Sequence, residues 1–371
     1  MAQQRGVKVA EVNPTDSGKL RAFVRDVLTA MNVPRQDAET VSEILVEADL
    51  RGVDSHGVTR LGGYVQMIRS GIINPRPKIQ VVKETPSTAV IDGDKAFGMP
   101  VAKRAMEMTL DKAKQVGLAG VTARNMSHTG MVGFYTMMAA SRGMVGMAMN
   151  NGPTIVPPFG GITPNLSTNP MSVAFPAGKE EPIVLDMATT VVAGGKFRLA
   201  AKKGLPIPKE WALDRSGVPT DDPNEAIEHG FFQWAGGYKG FGLATMVEVL
   251  GGVLSGGLFG QEVPPMIHFG KDPITSSGFY LAIDIERFMP LAEFQGRVDT
   301  LVRQLLSSKL AKGVERIYVA GGPEFERKRQ RTREGIPLSA PVYEELLRLS
   351  RELELPFDLA FSGPRAGGSR H

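Results

Sequence analysis

The chain has 371 residues, of which 42% are hydrophobic, and this is enough to build the cores of about two domains. It contains no cysteine, which excludes disulfide bonds, thiolate nucleophiles and cysteine-ligated metals. The net charge of +4 is small and evenly spread, so no nucleic-acid partner is predicted, and no export signal follows Met1, so a cytoplasmic protein is expected.

The first ninety residues carry apolar side chains at the three- and four-residue spacing of amphipathic helices. Ser17 is predicted to cap a first helix that ends near Met31. Pro34 opens a second helix that reaches Leu50, and residues 61–70 form a third.

From Ser87 onward the pattern changes to strands and helices. Residues 88–92 and 118–123 are predicted strands, and residues 99–116 a helix between them. Further strands are predicted at residues 144–149, 171–175, 183–186, 279–284 and 316–319. Because several of these follow one another without an intervening helix, the sheet is expected to be mixed.

The C-terminal part is predicted to be mainly helical. Residues 291–310 and 342–354 have amphipathic spacing, and the basic run at residues 326–331 is predicted to be an exposed helix or loop. The last residues, 363–371, are rich in Gly, Arg and Ser and are expected to be disordered.

Residues 241–260 are almost wholly apolar, with glycines four residues apart at Gly252, Gly256 and Gly260. Such spacing also occurs in helices that associate in lipid. Glu248 in the middle and the polar flanks argue against a membrane span. We therefore predict a buried helix whose glycine face lets another backbone approach closely.

Residues 51–60 combine several groups that proton transfer to a small anion requires. His56 titrates near neutrality, and the guanidinium of Arg60 matches a carboxylate. Gly52 and Gly57 on either side of Asp54-Ser55-His56 let the backbone approach a ligand. An exposed helix end followed by a turn is the alternative.

No Gly-x-Gly-x-x-Gly turn, P-loop or metal-ligand spacing is present, so no metal site is predicted, and a nucleotide would need another binding arrangement. His128 follows a predicted strand, where side chains commonly face a ligand crevice, although a hydrogen-bonded core histidine is the alternative. His229, His268 and His371 lie in polar surroundings and are not predicted to be functional.

Turn-forming residues interrupt the strands at residues 150–153, 157–161 and 168–170, and long loops of this kind are often functional. Asp186 ends a buried strand, so it is expected either to orient a histidine or to cap the next helix. Lys239 lies where the glycine-faced helix begins, and a phosphate is expected there.

These pieces, in this order, resemble one family, the malate/L-lactate dehydrogenases of the second type. The motifs that carry the resemblance are Arg51-Gly52-Val53-Asp54-Ser55-His56-Gly57-Val58, Asn125-Met126-Ser127-His128, Pro158-Phe159-Gly160-Gly161, Thr168-Asn169-Pro170, Leu185-Asp186-Met187-Ala188-Thr189 and Gly237-Tyr238-Lys239-Gly240-Phe241-Gly242-Leu243. The resemblance runs from about Pro14 to Leu355.

The resemblance implies an α/β protein with a non-Rossmann nicotinamide-binding fold, a mixed sheet and a helical domain built from both chain ends. It implies a helical domain at residues 1–88, a cofactor-binding domain at 89–310, and a segment at 311–362 that returns to the helical domain. It also implies a homodimer.

The same resemblance implies the roles of individual residues. His56 and His128 match histidines proposed as acid or base in different branches of the family, and Arg60 matches an arginine near the substrate carboxylate. Ser55 and Thr168 are also assigned to the substrate site, and Asp186 to orienting a histidine. The residues assigned to cofactor binding are Asn151, Asp186, Met187, Ala188, Thr189, Tyr238, Lys239, Gly322, Pro323 and Glu324.

The function expected from this resemblance is hydride transfer between NAD or NADP and a small 2-hydroxy or 2-oxo acid such as malate or lactate. Reduction of a cyclic imino acid at the same site is the first alternative. A catalytically inactive nucleotide-binding protein is a more remote alternative, and so is a hydrolase that uses Ser55, His56 and Asp186, since no nucleophile elbow is present.

Overall fold

The computed structural model describes residues 14–202, 204–228, 230–265, 271 and 275–361. The predictions for His229, His268, His371 and residues 363–371 lie outside these residues. The N-terminal helices are α1 (Ser17–Ala30), α2 (Arg35–Leu50) and α3 (Leu61–Arg69), as the apolar spacing predicted. The prediction that Ser17 caps α1 is wrong, because the carboxylate of Asp16 accepts the hydrogen bond from Lys19 N.

Within the described residues, ten strands form two sheets. The larger sheet has the order β1-β2-β3-β10-β4-β5-β6, and the smaller has the order β8-β7-β9. The strands are β1 (Gln80–Glu84), β2 (Thr88–Ala96), β3 (Leu118–Met126), β4 (Met144–Asn150), β5 (Met171–Phe175), β6 (Ile183–Met187), β7 (Ala212–Leu213), β8 (Pro219–Thr220), β9 (Phe231–Phe232) and β10 (Ser276–Asp284).

The larger sheet is mixed, which confirms the prediction. Strands β2 and β3 pair in parallel through the crossover helix α4 (Gly98–Val116), and the other neighbours pair antiparallel. The strand predicted at residues 316–319 is wrong. That stretch is irregular and runs beside the edge of β6, where Val184 N donates to Ala320 O before the chain turns at Gly321.

The remaining helices are α5 (Gly133–Ser141), α6 (Gly195–Lys202), α7 (Pro223–Glu228), α8 (Tyr238–Val247), α9 (Leu291–Leu306), α10 (Gly322–Glu334) and α11 (Ala340–Glu352). Helices α10 and α11 pack against α2 and α3, and Thr15 forms β-bridges with Ile336 and Ala360. One continuous core joins these helices to the sheet, as Leu20, Ile91 and Leu346 illustrate. Both ends of the chain therefore build one helical layer, while the domain boundaries stay a prediction.

The apolar segment at residues 241–260 forms α8 and a following π-helical turn, Glu248–Val253. Another backbone does approach this segment closely, because Gly251 lies against the backbone of Ser277. The predicted glycine face is wrong, since the helix ends at Val253 and Gly256 and Gly260 follow it with positive φ. The prediction of a buried helix holds for one side only. A row of its apolar side chains is exposed in the single chain: Leu243, Met246, Val249, Val253 and Leu254. No helix in the described part of the chain is both long and apolar enough to cross a membrane.

Candidate active site

The turn that carries His56 is held in place by the buried carboxylate of Asp49. Two short 3-10 turns, Asp54–His56 and Val58–Arg60, follow the end of α2. Val58 N donates to Asp49 Oδ2 over 2.9 Å, and a Cβ at position 57 would overlap the same carboxyl group. Only glycine leaves room for this contact, so Gly57 lets the turn sit directly on Asp49.

A residue from the far end of the chain fixes the other side of this turn. The buried guanidinium of Arg331, on α10, bonds to the backbone oxygen of Asp49 and to the carboxylate of Asp54. The C-terminal helix therefore helps to hold the turn that carries His56.

His56 and Arg60 lie together as the sequence predicted for residues 51–60. Ser55 Oγ lies 2.9 Å from His56 Nδ1, and Arg60 Nε donates to Ser55 O over 2.7 Å. Burial, followed by the charge of Arg60, lowers the pKa of His56 to about 4. The imidazole is therefore neutral near pH 7 in the ligand-free protein.

His128, which follows β3, stacks against His56 with ring centroids 5.3 Å apart. Its Nδ1 accepts a hydrogen bond from Gly130 N at 3.2 Å and lies 2.8 Å from the hydroxyl of Tyr64. Burial and the nearby Arg60 lower the pKa of His128 well below its ordinary value. With Nδ1 used as an acceptor, the proton of the neutral ring is on Nε2.

Tyr64 is a site residue that the sequence analysis missed. It is completely buried on α3, and burial raises the pKa of its phenol. In sequence it looks like any apolar-face residue of an amphipathic helix, and 64 positions separate it from His128. Only the fold brings the two together.

Asp186, at the end of β6, caps a helix that precedes it in the chain. Gly133 N, at the start of α5, donates to Asp186 Oδ2 over 2.8 Å, so the cap is on α5 and not on the next helix, α6. As a whole, the residue is exposed to solvent, although protein atoms surround its carboxyl group closely. Burial, with a smaller effect of the nearby Glu324, raises the pKa of Asp186 to about 6, while Arg51 acts in the opposite direction.

The first turn of α10 lies close to Asp186. The bond from Val184 N to Ala320 O places this segment beside β6, and α10 then begins with Gly322, Pro323 and Glu324. These three predicted cofactor residues therefore lie near the end of β6.

The segment after β6 connects further predicted residues. Thr168 O accepts hydrogen bonds from Thr189 N at 2.9 Å and Thr189 Oγ1 at 2.8 Å. Thr189 O in turn accepts from Ala235 N, just before α8 begins with the exposed residues Tyr238 and Lys239. Met187 and Ala188 lie between this network and Asp186.

The same segment leads to the histidine pair. It enters α6 at Gly195, where a Cβ would lie 4.0 Å from Ser55 Cβ. One continuous stretch thus runs from Asp186 past Thr189 to the turn of His56. This stretch links the predicted residues of β6 and the start of α8 to the turn of His56.

Asn151 is engaged within the protein. Its amide nitrogen donates to Glu248 Oε1 at 3.1 Å and to Leu258 O at 3.0 Å, and its amide oxygen accepts from Ser277 N at 2.8 Å. The side chain thus joins three segments. No cluster of three or more metal-ligating side chains occurs among the residues that the structure describes.

Comparison with known proteins decides the family. The family model described as malate/L-lactate dehydrogenase matches residues 15–347. Malate dehydrogenase of Pyrococcus horikoshii is 41% identical over 90% of this chain and 94% of its own, and a structure of that enzyme superposes with a TM-score of 0.86, covering 96% of this chain and 99% of its own. The chain belongs to the malate/L-lactate dehydrogenase family.

Two further relatives show the range of this family. L-sulfolactate dehydrogenase of Methanocaldococcus jannaschii is 38% identical over 90% of this chain and 96% of its own, and its structure, covering 92% and 98%, has a TM-score of 0.86. Ureidoglycolate dehydrogenase (NAD(+)) of Escherichia coli (strain K12) is 34% identical over 88% of this chain and 93% of its own. The protein is therefore a dehydrogenase of a family whose named members include enzymes for malate, sulfolactate and ureidoglycolate.

The region around β6 and α8 has the features that a dinucleotide requires. The first turn of α8 and the exposed Lys239 offer backbone N–H groups and a positive charge, which suit a pyrophosphate. The solvent-accessible Asp186 carboxylate can accept hydrogen bonds from ribose hydroxyls. In this member of the family, the bond from Ala235 N to Thr189 O connects the start of α8 to the segment that leads from Asp186 to Ser55.

Proposed function

We propose that the protein interconverts a small 2-oxo acid and its 2-hydroxy acid, with malate or sulfolactate as the first candidates, and that His56 is the residue that exchanges the proton. The observation that carries this proposal is the stacked pair of His56 and His128 beside Arg60. Bound NADH supplies the hydride to the carbonyl carbon of the substrate. The protein must then bind the carboxylate and give a proton to the carbonyl oxygen.

Arg60 is the proposed carboxylate ligand. Its Nε is fixed by Ser55 O, which orients the planar guanidinium next to both imidazole rings. An anionic substrate there offsets the charge that lowers the pKa of His56, so substrate binding favours the protonated form of His56. Substrate binding therefore raises the protonated fraction of His56, although burial continues to lower its pKa.

His56 can hold a proton at either ring nitrogen, so it can gain and lose the proton that the reaction exchanges. The hydroxyl of Ser55 donates to an unprotonated Nδ1 and accepts from a protonated one, so its contact with His56 persists in both states. In reduction, Nε2 of His56 gives its proton to the carbonyl oxygen as the hydride arrives. His128, whose Nε2 carries the proton, offers a second hydrogen bond to the same oxygen.

The cofactor residues complete the proposal. Lys239 and the first turn of α8 bind the pyrophosphate, while Asp186 to Thr189 and the first turn of α10 line the remaining cofactor surface. Glu324 and Asp186 both contribute negative charge there, and hydroxyl groups suit these carboxylates better than an additional phosphate does. NAD is accordingly the proposed cofactor.

The protein is also proposed to act as a homodimer. The support is the exposed apolar row on α8 and the π-helical turn, because contiguous apolar surface of this kind usually marks an interface. A symmetric pair of such helices would bury the row in both subunits.

The test follows the absorbance of NADH and of NADPH with a panel of oxaloacetate, pyruvate, sulfopyruvate, diketogulonate and piperideine-2-carboxylate. The proposal is supported if the wild-type protein turns over a 2-oxo acid with NADH and the His56→Ala variant does not. Turnover of piperideine-2-carboxylate alone would replace the substrate class with cyclic imines. NADH binding, measured by fluorescence, without turnover of any compound would contradict the proposed reaction.

A further inference from the structure

Glu248 is a buried carboxylate that the proposed reaction does not use. It is the first residue of the π-helical turn, a type of distortion that is frequent at functional sites. Its two oxygens accept hydrogen bonds from Asn151 Nδ2 at 3.1 Å, Asn169 Nδ2 at 2.8 Å and Gly260 N at 2.9 Å. These donors come from three different loops, so one side chain ties the three loops to the same helix.

Asn169 is the member of this group that directly follows Thr168, the residue that the family resemblance assigns to the substrate site. It is completely buried, its φ of 35° is in the left-handed region, and its amide nitrogen also donates to Ala244 O at 2.8 Å. The preceding residue, Thr168, is bound through its carbonyl oxygen to Thr189. The position of Asn169 therefore determines where Thr168 lies.

Thr189, which binds Thr168, also contacts the N-terminal end of α8. Thr189 O accepts from Ala235 N, and Gly240 of α8 has backbone oxygens of Ala235 and Thr189 so close that a Cβ would overlap them. The N-terminal end of α8 is thus held through Thr189, and its C-terminal end is held through Glu248. The loop at Thr168 and Asn169 is attached to both ends of one rigid helix.

We propose that Glu248 is a positioning residue that fixes the loop of Thr168 and Asn169 and thereby sets the affinity for the substrate. The effect on substrate rests on the proposed function and on the assignment of Thr168 to the substrate site, which the family resemblance implies. Glu248 itself touches neither the substrate nor the histidine pair, so its loss acts on binding more than on proton transfer.

The test is Glu248→Gln, which keeps the shape but turns one acceptor into a donor that faces the amide of Asn169. The KM for the 2-oxo acid should rise about tenfold, while kcat and the affinity for NADH change by less than about threefold. Glu262→Gln is the matched control, because Glu262 is a nearby exposed glutamate, and it should leave both constants unchanged.

A second variant keeps the test decisive if Glu248→Gln folds poorly. Asn169→Gly removes the amide but retains a residue that tolerates positive φ, so it should give the same rise in KM. In the double variant the two effects should not multiply, because they break one interaction. A wild-type KM in either folded single variant, or multiplied effects in the double variant, would overturn the role of Glu248.

Hydrogen–deuterium exchange separates this inference from the proposed function. In the protein without substrate, peptides covering residues 166–171 should exchange faster in Glu248→Gln than in the wild type or Glu262→Gln. Unchanged exchange would overturn the positioning role. Faster exchange in a protein that turns over no 2-oxo acid would retain the positioning of the loop and reject its effect on substrate, together with the proposed function.

Discussion

The rings of His56 and His128 stack at 5.3 Å, yet their Nδ1 atoms have different partners. The partner of His56 is the hydroxyl of Ser55, which can donate or accept a hydrogen bond. One partner of His128 is Gly130 N, which can only donate. A proton on Nδ1 of His128 would face that N–H group, so the geometry favours His56 as the ring that gains and loses a proton.

Replacing each histidine separately tests this difference. His56→Ala should lower kcat by roughly 10² to 10⁴, the usual contribution of a general acid, and leave NADH binding nearly intact. His128→Ala should lower kcat less, because it removes a hydrogen-bond donor. Steady-state kinetics and NADH fluorescence measure both effects. Near-normal kcat in His56→Ala together with its loss in His128→Ala would transfer the acid and base role to His128.

Arg60→Lys tests the binding of the substrate carboxylate. An ammonium group cannot reproduce the planar fork of Arg60, whose Nε is already bound to Ser55 O, so KM for the 2-oxo acid should rise at least about tenfold. Arg69→Lys, an exposed exchange on α3, is the control and should leave KM unchanged. A wild-type KM in Arg60→Lys would show that another group binds the carboxylate.

Apolar spacing in the sequence predicted the long helices and the central strands well, since their packed faces repeat regularly. It missed β1, whose residues are mostly exposed and therefore lack alternation, and it predicted a strand at residues 316–319. That stretch runs beside the sheet edge without forming a ladder. Burial of one strand face creates the alternating pattern, so a mostly exposed edge strand such as β1 lacks it.

The site was predictable only where its residues are close together in the chain. Residues 51–60 and the motif around Asp186 were recognisable from sequence, but Tyr64, Asp49 and Arg331 were not. These three act through contacts that depend on the fold. Arg331 contacts Asp49 across 282 positions of sequence, and no local sequence pattern can indicate a contact between residues so far apart.

Asp186→Asn tests the raised pKa of about 6 through stability. The folded protein binds the Asp186 proton more tightly than the unfolded chain does, because the pKa of this carboxyl group in the unfolded chain is about 3.9. Above that pH, the charged side chain therefore lowers the free energy of unfolding. Asn keeps the oxygen that accepts from Gly133 N and removes the charge. The Tm should therefore exceed that of wild type above pH 6, and the difference should disappear as pH falls toward 4.

Calorimetry between pH 4 and 8 checks this expectation, with activity measured in parallel. Asp299→Asn is the opposite control, because hydrogen bonds from the backbone of Gly178, Lys179 and Glu180 lower the pKa of Asp299. Its Tm should be lower than that of wild type throughout this range, and the difference should shrink only as pH falls below about 4. A Tm difference for Asp186→Asn that does not depend on pH would contradict the assigned pKa.

The exposed apolar row on α8 and the π-helical turn predicts how the oligomer can be broken. In the single chain, 48% of Val249 is accessible, and its neighbours Met246 and Val253 are similarly exposed. If a second copy covers this row, Val249→Glu places a charge in a dry interface and should give a 40 kDa monomer in light scattering. Val82→Glu, at 47% exposure on β1, is the matched control and should stay dimeric.

Because Glu248 lies next to Val249 and holds the loop of Asn169, the monomer should also show a raised KM for the 2-oxo acid. A dimeric Val249→Glu protein with wild-type kinetics would show that the interface lies elsewhere.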